Sequence, residues 1–168
     1  LMERPQQPYF DLFDEKGIRY ELKNGFLTVE GQLTPGAFRL PGNVSSQFVT
    51  GLLYALPLLA GDSRIVLTTD LESRSYVDMT LEALSAFGVT AAWEDSRTLA
   101  VPGGQSYIPA TVRVEGDWSQ AAFWFAAISL GSRLEIEGLQ QLSAQGDRVI
   151  GDHFVRLTPP GDVDIDLS

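Results

Sequence analysis

Two segments of this chain are apolar on nearly every side at helical length, while the strand candidates around them alternate apolar with charged residues. Residues 48–59 carry Phe48, Val49, Leu52, Leu53, Ala55, Leu56 and Leu59, and residues 121–130 are as poor in polar groups. A helix without a polar face must be covered on most sides. Residues 112–114, 134–136 and 163–167 alternate instead, which leaves one face of a sheet in water. A doubly wound parallel sheet has the reverse polarity, with buried strands and half-wet helices. The predicted class is therefore α/β (α+β), with helices inside and sheets outside.

The order of elements extends this reading. Residues 8–13 have helical apolar spacing, and Gly17 stops them. Strands are expected at 19–22 and 26–30, joined by Lys23-Asn24-Gly25, a tight-turn sequence. Residues 35–104 then read as strand, helix, strand, helix, strand, strand. In this stretch Phe38, Arg39 and Leu40 start the unit, helix 48–59 follows, and Ile65-Val66-Leu67 is a strand. Val77, Leu81, Leu84 and Phe87 form the stripe of a second helix, and residues 89–93 pair with Thr98–Val101. The opening recurs: Phe38-Arg39-Leu40-Pro41-Gly42-Asn43-Val44-Ser45 aligns with Val112-Arg113-Val114-Glu115-Gly116-Asp117-Trp118-Ser119, and Ser63-Arg64-Ile65 aligns with Ser132-Arg133-Leu134. A structural repeat is the reading that keeps sequence and element order consistent.

Charge and composition exclude several chemistries. With 22 acidic against 12 basic residues, the net charge of −10 argues against nucleic-acid or anionic-membrane surfaces. No cysteine and a single histidine exclude disulfides, thiolate catalysis and a multi-histidine metal centre. No apolar run has the length of a membrane span, and the opening residues lack the order of a signal peptide, so a cytoplasmic location is expected.

Three helix starts carry candidate chemistry. Asn43-Val44-Ser45-Ser46-Gln47 sets two hydroxyls and an amide at an N-terminus whose free N–H groups and dipole suit a phosphate or carboxylate; plain capping needs only one serine. Ser73-Arg74-Ser75-Tyr76-Val77-Asp78 places a hydroxyl, a guanidinium and a phenol before the next helix, although Arg74 could simply pair with Glu72 or Asp78. At the third start, Asp117 is most simply an N-cap, and it repels anions unless it pairs with a cation such as Arg113. Asp162, Asp164 and Asp166 read as a solvated strand face rather than a metal cage, His153 has no catalytic partner in sequence, and Gly103-Gly104-Gln105 lacks the Lys-Ser/Thr of a phosphate loop.

Taken together, Val44-Ser45-Ser46-Gln47-Phe48, the 73–78 segment, Gly103-Gly104-Gln105-Ser106-Tyr107, Val114-Glu115-Gly116-Asp117 and Gln145-Gly146-Asp147 resemble, in order and spacing, the EPSP synthase (3-phosphoshikimate 1-carboxyvinyltransferase) family, and Arg4-Pro5 fits it too. The resemblance implies an enolpyruvyl transferase-like inside-out α/β barrel of strand-helix-strand-helix-strand-strand repeats. It implies a monomeric enzyme that moves the carboxyvinyl group of phosphoenolpyruvate to the 5-hydroxyl of shikimate 3-phosphate in aromatic amino acid biosynthesis, with no cofactor. Ser45, Ser46 and Ser73 match residues that hold the substrate phosphate. Gln47 matches an amide between the two substrates, Tyr76 a substrate-contacting tyrosine, and Arg74 a basic position beside it; Ser75 stands where the family often has proline.

The same resemblance implies an internal fragment, with residues 1–112 forming most of one lobe and 113–168 beginning the second. The phosphoenolpyruvate-binding arginine is expected just before Leu1 and an aspartate-bearing Pro-Asp segment just after Ser168. No residue in the chain is a strong general-base candidate, and the piece alone is expected to be inactive. Two other readings are weighed: a UDP-sugar enolpyruvyl transferase, whose chemistry uses a cysteine this chain lacks, and a non-catalytic anion-binding repeat domain.

Overall fold

A computed structural model describes residues 6–157. Arg4-Pro5 and the 162–167 segment, with its aspartates and alternating apolar residues, lie outside the described residues. The chain divides into two compact units between Ala110 and Thr111.

The first unit opens with α1 (Gln7–Lys16), closed by Gly17 in the left-handed conformation at φ 68°. β1 (Arg19–Lys23) and β2 (Phe26–Glu30) follow as an antiparallel hairpin. Asn24 (φ 51°) and Gly25 (φ 81°) make its turn, the left-handed pair that Asn-Gly provides at low cost. β3 (Gly36–Leu40), α2 (Ser46–Ala55), β4 (Ser63–Leu67), α3 (Arg74–Ala86), β5 (Ala92–Trp93) and β6 (Thr98–Val101) then complete the order expected for residues 35–104. Helix α2 gives way to a 3-10 turn at Leu56–Leu58 instead of running on to residue 59. Pro57 lacks the N–H that would continue the ladder.

The sheet order is β3-β4-β6-β5, with β3 and β4 parallel and the other pairs antiparallel. Phe38 sits opposite Ile65, Leu40 opposite Leu67, and Ile65 opposite Leu99. All five are buried, whereas Arg39 and Arg64 on the other face are exposed. The buried face meets Phe48, Val49, Leu52 and Leu53 of α2, Val77 and Leu84 of α3, and Leu12 of α1 in one core. The strands thus keep a wet face while α2 is buried on its sheet side. The exposed Arg64 is bonded through Nε and Nη2 to Glu94, at 2.8–3.0 Å.

One repeat escaped the sequence reading. The leading α1-β1-β2 has the plan of α3-β5-β6: a helix, a left-handed glycine (Gly17, Gly88), and a backbone bond back into the helix, Ile18 N–H to Phe13 O at 2.8 Å and Val89 N–H to Leu84 O at 2.9 Å. Leu27-Thr28-Val29 in β2 corresponds to Leu99-Ala100-Val101 in β6. The α1-β1-β2 segment therefore has the plan of the second half of a unit.

The second unit contains α4 (Trp118–Ser129), a 3-10 turn at Gly146–Arg148 and α5 (Val149–Leu157). Two expectations fail here. Residues 112–114 and 134–136 form no strands among the described residues. Just beyond them, Gly116 N–H bonds to Gly138 O at 2.8 Å. In the first unit the parallel pair β3-β4 is backed by β6 and β5; the described part of the second unit has no such hairpin, and a lone two-stranded ribbon is marginal. Helix α4 is not buried on most sides either. Trp118 and Ala121 are covered and Phe125 stacks on Phe154, but Phe123 is 72% exposed and Trp124 56%, because α5 and its turn cover one face only.

Asp117 caps α4 as expected, accepting from the Ser119 hydroxyl (2.8 Å) and N–H (2.9 Å) and from Gln120 N–H (3.2 Å). The Ser119 hydroxyl, with those amides, holds its carboxyl below the usual aspartate range.

Two outcomes follow from this packing. Leu53→Ala removes a fully buried side chain and is expected to cost about 2–5 kcal/mol in urea unfolding, while Leu58→Ala, at an exposed position, stays within about 0.5 kcal/mol. Equal losses would mean that α2 does not bury the face described. For Asp117, a lowered folded pKa means that its stabilisation is present above about pH 4 and fades as pH falls through the folded value. Asp117→Asn caps without titrating, so the gap in far-UV dichroism between wild type and variant should close on acidification. A gap independent of pH would show that the carboxylate is not the cap.

Candidate functional site

Parallel pairing of β3 and β4 sends α2 and α3 back across the sheet in the same direction, so both helices start at one end of the first unit. Between those starts lies an open cavity of about 560 Å³. Ser45, Ser46 and Gln47 line it from the α2 start and Ser73 and Tyr76 from the α3 start; Thr50 and Thr80 line it deeper along the helices.

The two starts are finished differently. Ser45 is the α2 cap, its Oγ accepting from Gln47 N–H at 3.2 Å. Ser46 is therefore spared that task, and its hydroxyl bonds to none of the described residues. Ser73 occupies the cap position of α3 but makes no side-chain capping bond, so the first N–H groups of that helix keep no side-chain acceptor. Neither helix has an acidic residue in its first turn. Below, the Thr50 and Thr80 hydroxyls meet at 3.0 Å. Thr80 gives its proton to Tyr76 O (2.9 Å), so Thr50 is the donor of the pair. This bond fixes the spacing of the two helices.

The loop into α2 is held from the end of β4. Thr69 Oγ1 accepts from the N–H groups of Gly42 (2.9 Å) and Asn43 (3.2 Å) and donates to Asn43 Oδ1 (3.0 Å). A Cβ on Gly42 would come within 2.8 Å of Asp70 O, so this crossing admits only glycine. The next residue, Asp70, takes Nε and Nη2 of Arg97 at 2.9 and 2.6 Å. At the far end of α2 the 103–107 segment acts as a strap: Gly104 N–H reaches Leu59 O, Gln105 N–H reaches Pro57 O, and the Tyr107 hydroxyl donates to Tyr54 O at 2.8 Å. Partial burial raises the Tyr107 pKa above that of free tyrosine.

The structure therefore gathers Ser45, Ser46, Gln47, Ser73 and Tyr76 around one cavity. It sends Arg74 elsewhere, to the ring of Trp93 at 4.2 Å and to Asp78 at 3.7 Å. Thr50, Thr80 and Thr69 were not picked out by sequence, where isolated threonines give no local signal. His153 lies on α5 of the second unit with its Nδ1 buried and without a partner among the described residues.

The family model described as EPSP synthase (3-phosphoshikimate 1-carboxyvinyltransferase) matches residues 1–158. The chain belongs to the EPSP synthase family. A relative named 3-phosphoshikimate 1-carboxyvinyltransferase from Clostridium beijerinckii is 46% identical over 159 residues, covering 94% of this chain and 37% of its own length. A relative of the same name from Clostridium perfringens strain 13 is 47% identical over 150 residues, 88% of this chain and 35% of its own. The chain thus spans little more than a third of the length of the relatives it matches. Its fold is that of the EPSP synthase solved from Acinetobacter baumannii, with a TM-score of 0.60 at 22% identity over 76% of this chain and 28% of that one. No helix among the described residues is long and apolar enough to cross a membrane.

The Thr69 tether can be tested alone. Thr69→Val keeps the shape and removes two acceptor contacts and one donor, at an expected cost of about 1–3 kcal/mol. Hydrogen–deuterium exchange should quicken at Gly42 and Asn43 but not within β6. Unchanged exchange there would mean that the loop holds itself.

Proposed function

We propose that this chain is part of a monomeric, cytoplasmic enolpyruvyl transferase that joins the carboxyvinyl group of phosphoenolpyruvate to the 5-hydroxyl of shikimate 3-phosphate, and that the cavity between α2 and α3 anchors the 3-phosphate. The first unit belongs to one lobe (residues 1–112) and the rest begins the second (113–168); the division after Ala110 supports that boundary. One observation carries the reading: two helix starts, with the unengaged hydroxyls of Ser46 and Ser73, face one cavity whose described lining holds no carboxylate. Backbone N–H groups and hydroxyls in that arrangement bind a phosphate without needing a cation. Ser45 works through the helix it caps, Gln47 adds an amide at the rim, and Tyr76 closes the α3 side.

The reaction also needs a base for the 5-hydroxyl, a proton donor to the methylene carbon, and stabilisation of a cationic intermediate. The described lining contains no carboxylate, imidazole, ammonium or guanidinium. These residues therefore bind and orient the substrate, and the 168-residue chain is expected to bind it without releasing phosphate from phosphoenolpyruvate.

Calorimetric titration separates anchoring from capping. Ser46→Ala loses one charge-assisted hydrogen bond, about 1.5–3 kcal/mol, so shikimate 3-phosphate should bind roughly 10- to 150-fold more weakly. Shikimate without the phosphate should be unaffected, and stability should not change. Ser45→Ala should instead lower stability by about 1 kcal/mol through the lost cap. Equal loss for both ligands in Ser46→Ala would put the phosphate elsewhere.

A further inference from the structure

The 74–78 segment supplies two residues that point away from the cavity, and both converge on one side chain of the sheet. Trp93, on the edge strand β5, donates its indole N–H to Asp78 Oδ1 at 2.8 Å. The Arg74 guanidinium lies 4.2 Å over the same ring, and its Nε is 3.7 Å from Asp78 Oδ2. Cation, ring and carboxylate each contact the other two.

We propose that Trp93 is a positioning residue for the anion cavity, acting through Asp78 and Arg74 to set the rotation of α3. The proposal rests on the reading of that cavity as a phosphate anchor. Helical geometry makes the case. Residues 74 and 78 share one stripe of α3, and residues 76 and 80 lie on nearly the opposite one, since two residues of helix turn through about 200°. The cavity stripe is held by the Thr50–Thr80 bond and the far stripe by Trp93. Val77 and Leu84, fully buried against the sheet, form the third contact line. Apolar packing alone tolerates a small roll of the helix; directional bonds on opposite sides do not. A roll large enough to move Ser73 by about 1 Å would take its hydroxyl out of hydrogen-bond range of a phosphate oxygen.

The clamp also sets the chemistry of the cavity. It occupies the Arg74 guanidinium, at the start of α3, with a carboxylate and an aromatic face, an arrangement favourable for arginine. Phosphate is then held by neutral donors, and Arg74 contributes through its hold on the helix.

The test uses the full chain. Trp93→Phe keeps a ring beneath Arg74 and deletes the N–H; Asp78→Ala removes the acceptor. Each should weaken shikimate 3-phosphate binding by calorimetry, Trp93→Phe by roughly 2- to 12-fold. The double variant should bind no more weakly than Asp78→Ala alone, because the two residues act as one device. In ¹H–¹⁵N spectra recorded without ligand, Trp93→Phe should shift the amides of Ser73 and Tyr76, and Asp78→Ala should shift the Trp93 indole signal. Wild-type affinity in Trp93→Phe, or losses that add in the double variant, would overturn the proposal, as would a lowered melting midpoint with affinity unchanged. A wild-type chain that binds no shikimate 3-phosphate would refute the anchor itself; the unliganded spectra would then decide the clamp, with unmoved Ser73 and Tyr76 amides overturning it.

Discussion

The parallel ladder between β3 and β4 is the constraint on which the rest depends. Two parallel neighbours cannot be joined by a tight turn, so the chain must cross back over the sheet, and here it crosses as α2. The next return is α3. Because both follow strands of one direction, their positive ends coincide in space without any residue being chosen for that purpose. The serines exploit a geometry that the backbone already imposes. What the sequence adds locally is finish: Thr69 ties down one approach, the Thr50–Thr80 bond sets the gap, and the apolar faces of both helices hold them on the sheet.

Much of this was readable from residues alone because the signals are local or periodic. Phe38-Arg39-Leu40 and Ile65-Val66-Leu67 gave two strands of the sheet, Gly17 the end of α1, and Asn24-Gly25 the hairpin. The adjacent hydroxyls at Ser45 and Ser46 marked one helix start and Ser73 and Tyr76 the other. Arg74 shows where such reading stops. Of its partners in space, Asp78 was within reach of a local reading, whereas Trp93 lies on the far strand of the sheet. Thr69 is similar, a common residue made important by a loop twenty-six and twenty-seven positions earlier. The half unit at the beginning of the chain was missed because its match to α3-β5-β6 rests on glycine conformation and hydrogen-bond pattern more than on identical side chains.

The second copy keeps the joints of the repeat although its described residues form no sheet. Gly42 gives its N–H to Thr69 Oγ1; the aligned Gly116 gives its N–H to Gly138 O. Where Thr69 also holds Asn43, Gln145 serves the second copy, taking Trp118 N–H on Oε1 (2.8 Å) and returning its amide proton to Gly116 O (2.9 Å). The entrance to α4 is therefore as firmly tied as that to α2, although no ladder among the described residues lies behind it. Backbone crossings of this kind need only a glycine and an acceptor, whereas strands need neighbours on their edges. That difference explains why the repeated motif was a good guide to the loop and a poor one to residues 112–114 and 134–136, and why α4, so apolar, leaves Phe123 and Trp124 in water.

The same comparison separates the two aligned helix starts by the charge each carries. Asp117 stands where the first copy has Asn43. In the second copy that carboxylate accepts three bonds from Ser119 and Gln120, so the helix supplies its own negative charge and uses its first donors on it. In the first copy the aligned side chain is neutral and turned to the Thr69 hydroxyl, and capping passes to Ser45, one weak dipole in place of a full charge. The field of the helix end is left uncompensated there, and the neighbouring α3 start, uncapped by Ser73, adds a second. A chain of net charge −10 repels anions at a distance. The anion binding proposed above must then come from donors at contact range, inside the Debye length of about 8 Å at physiological salt. One difference between aligned positions, asparagine for aspartate, separates a helix start that closes on its own carboxylate from one that carries no charge there.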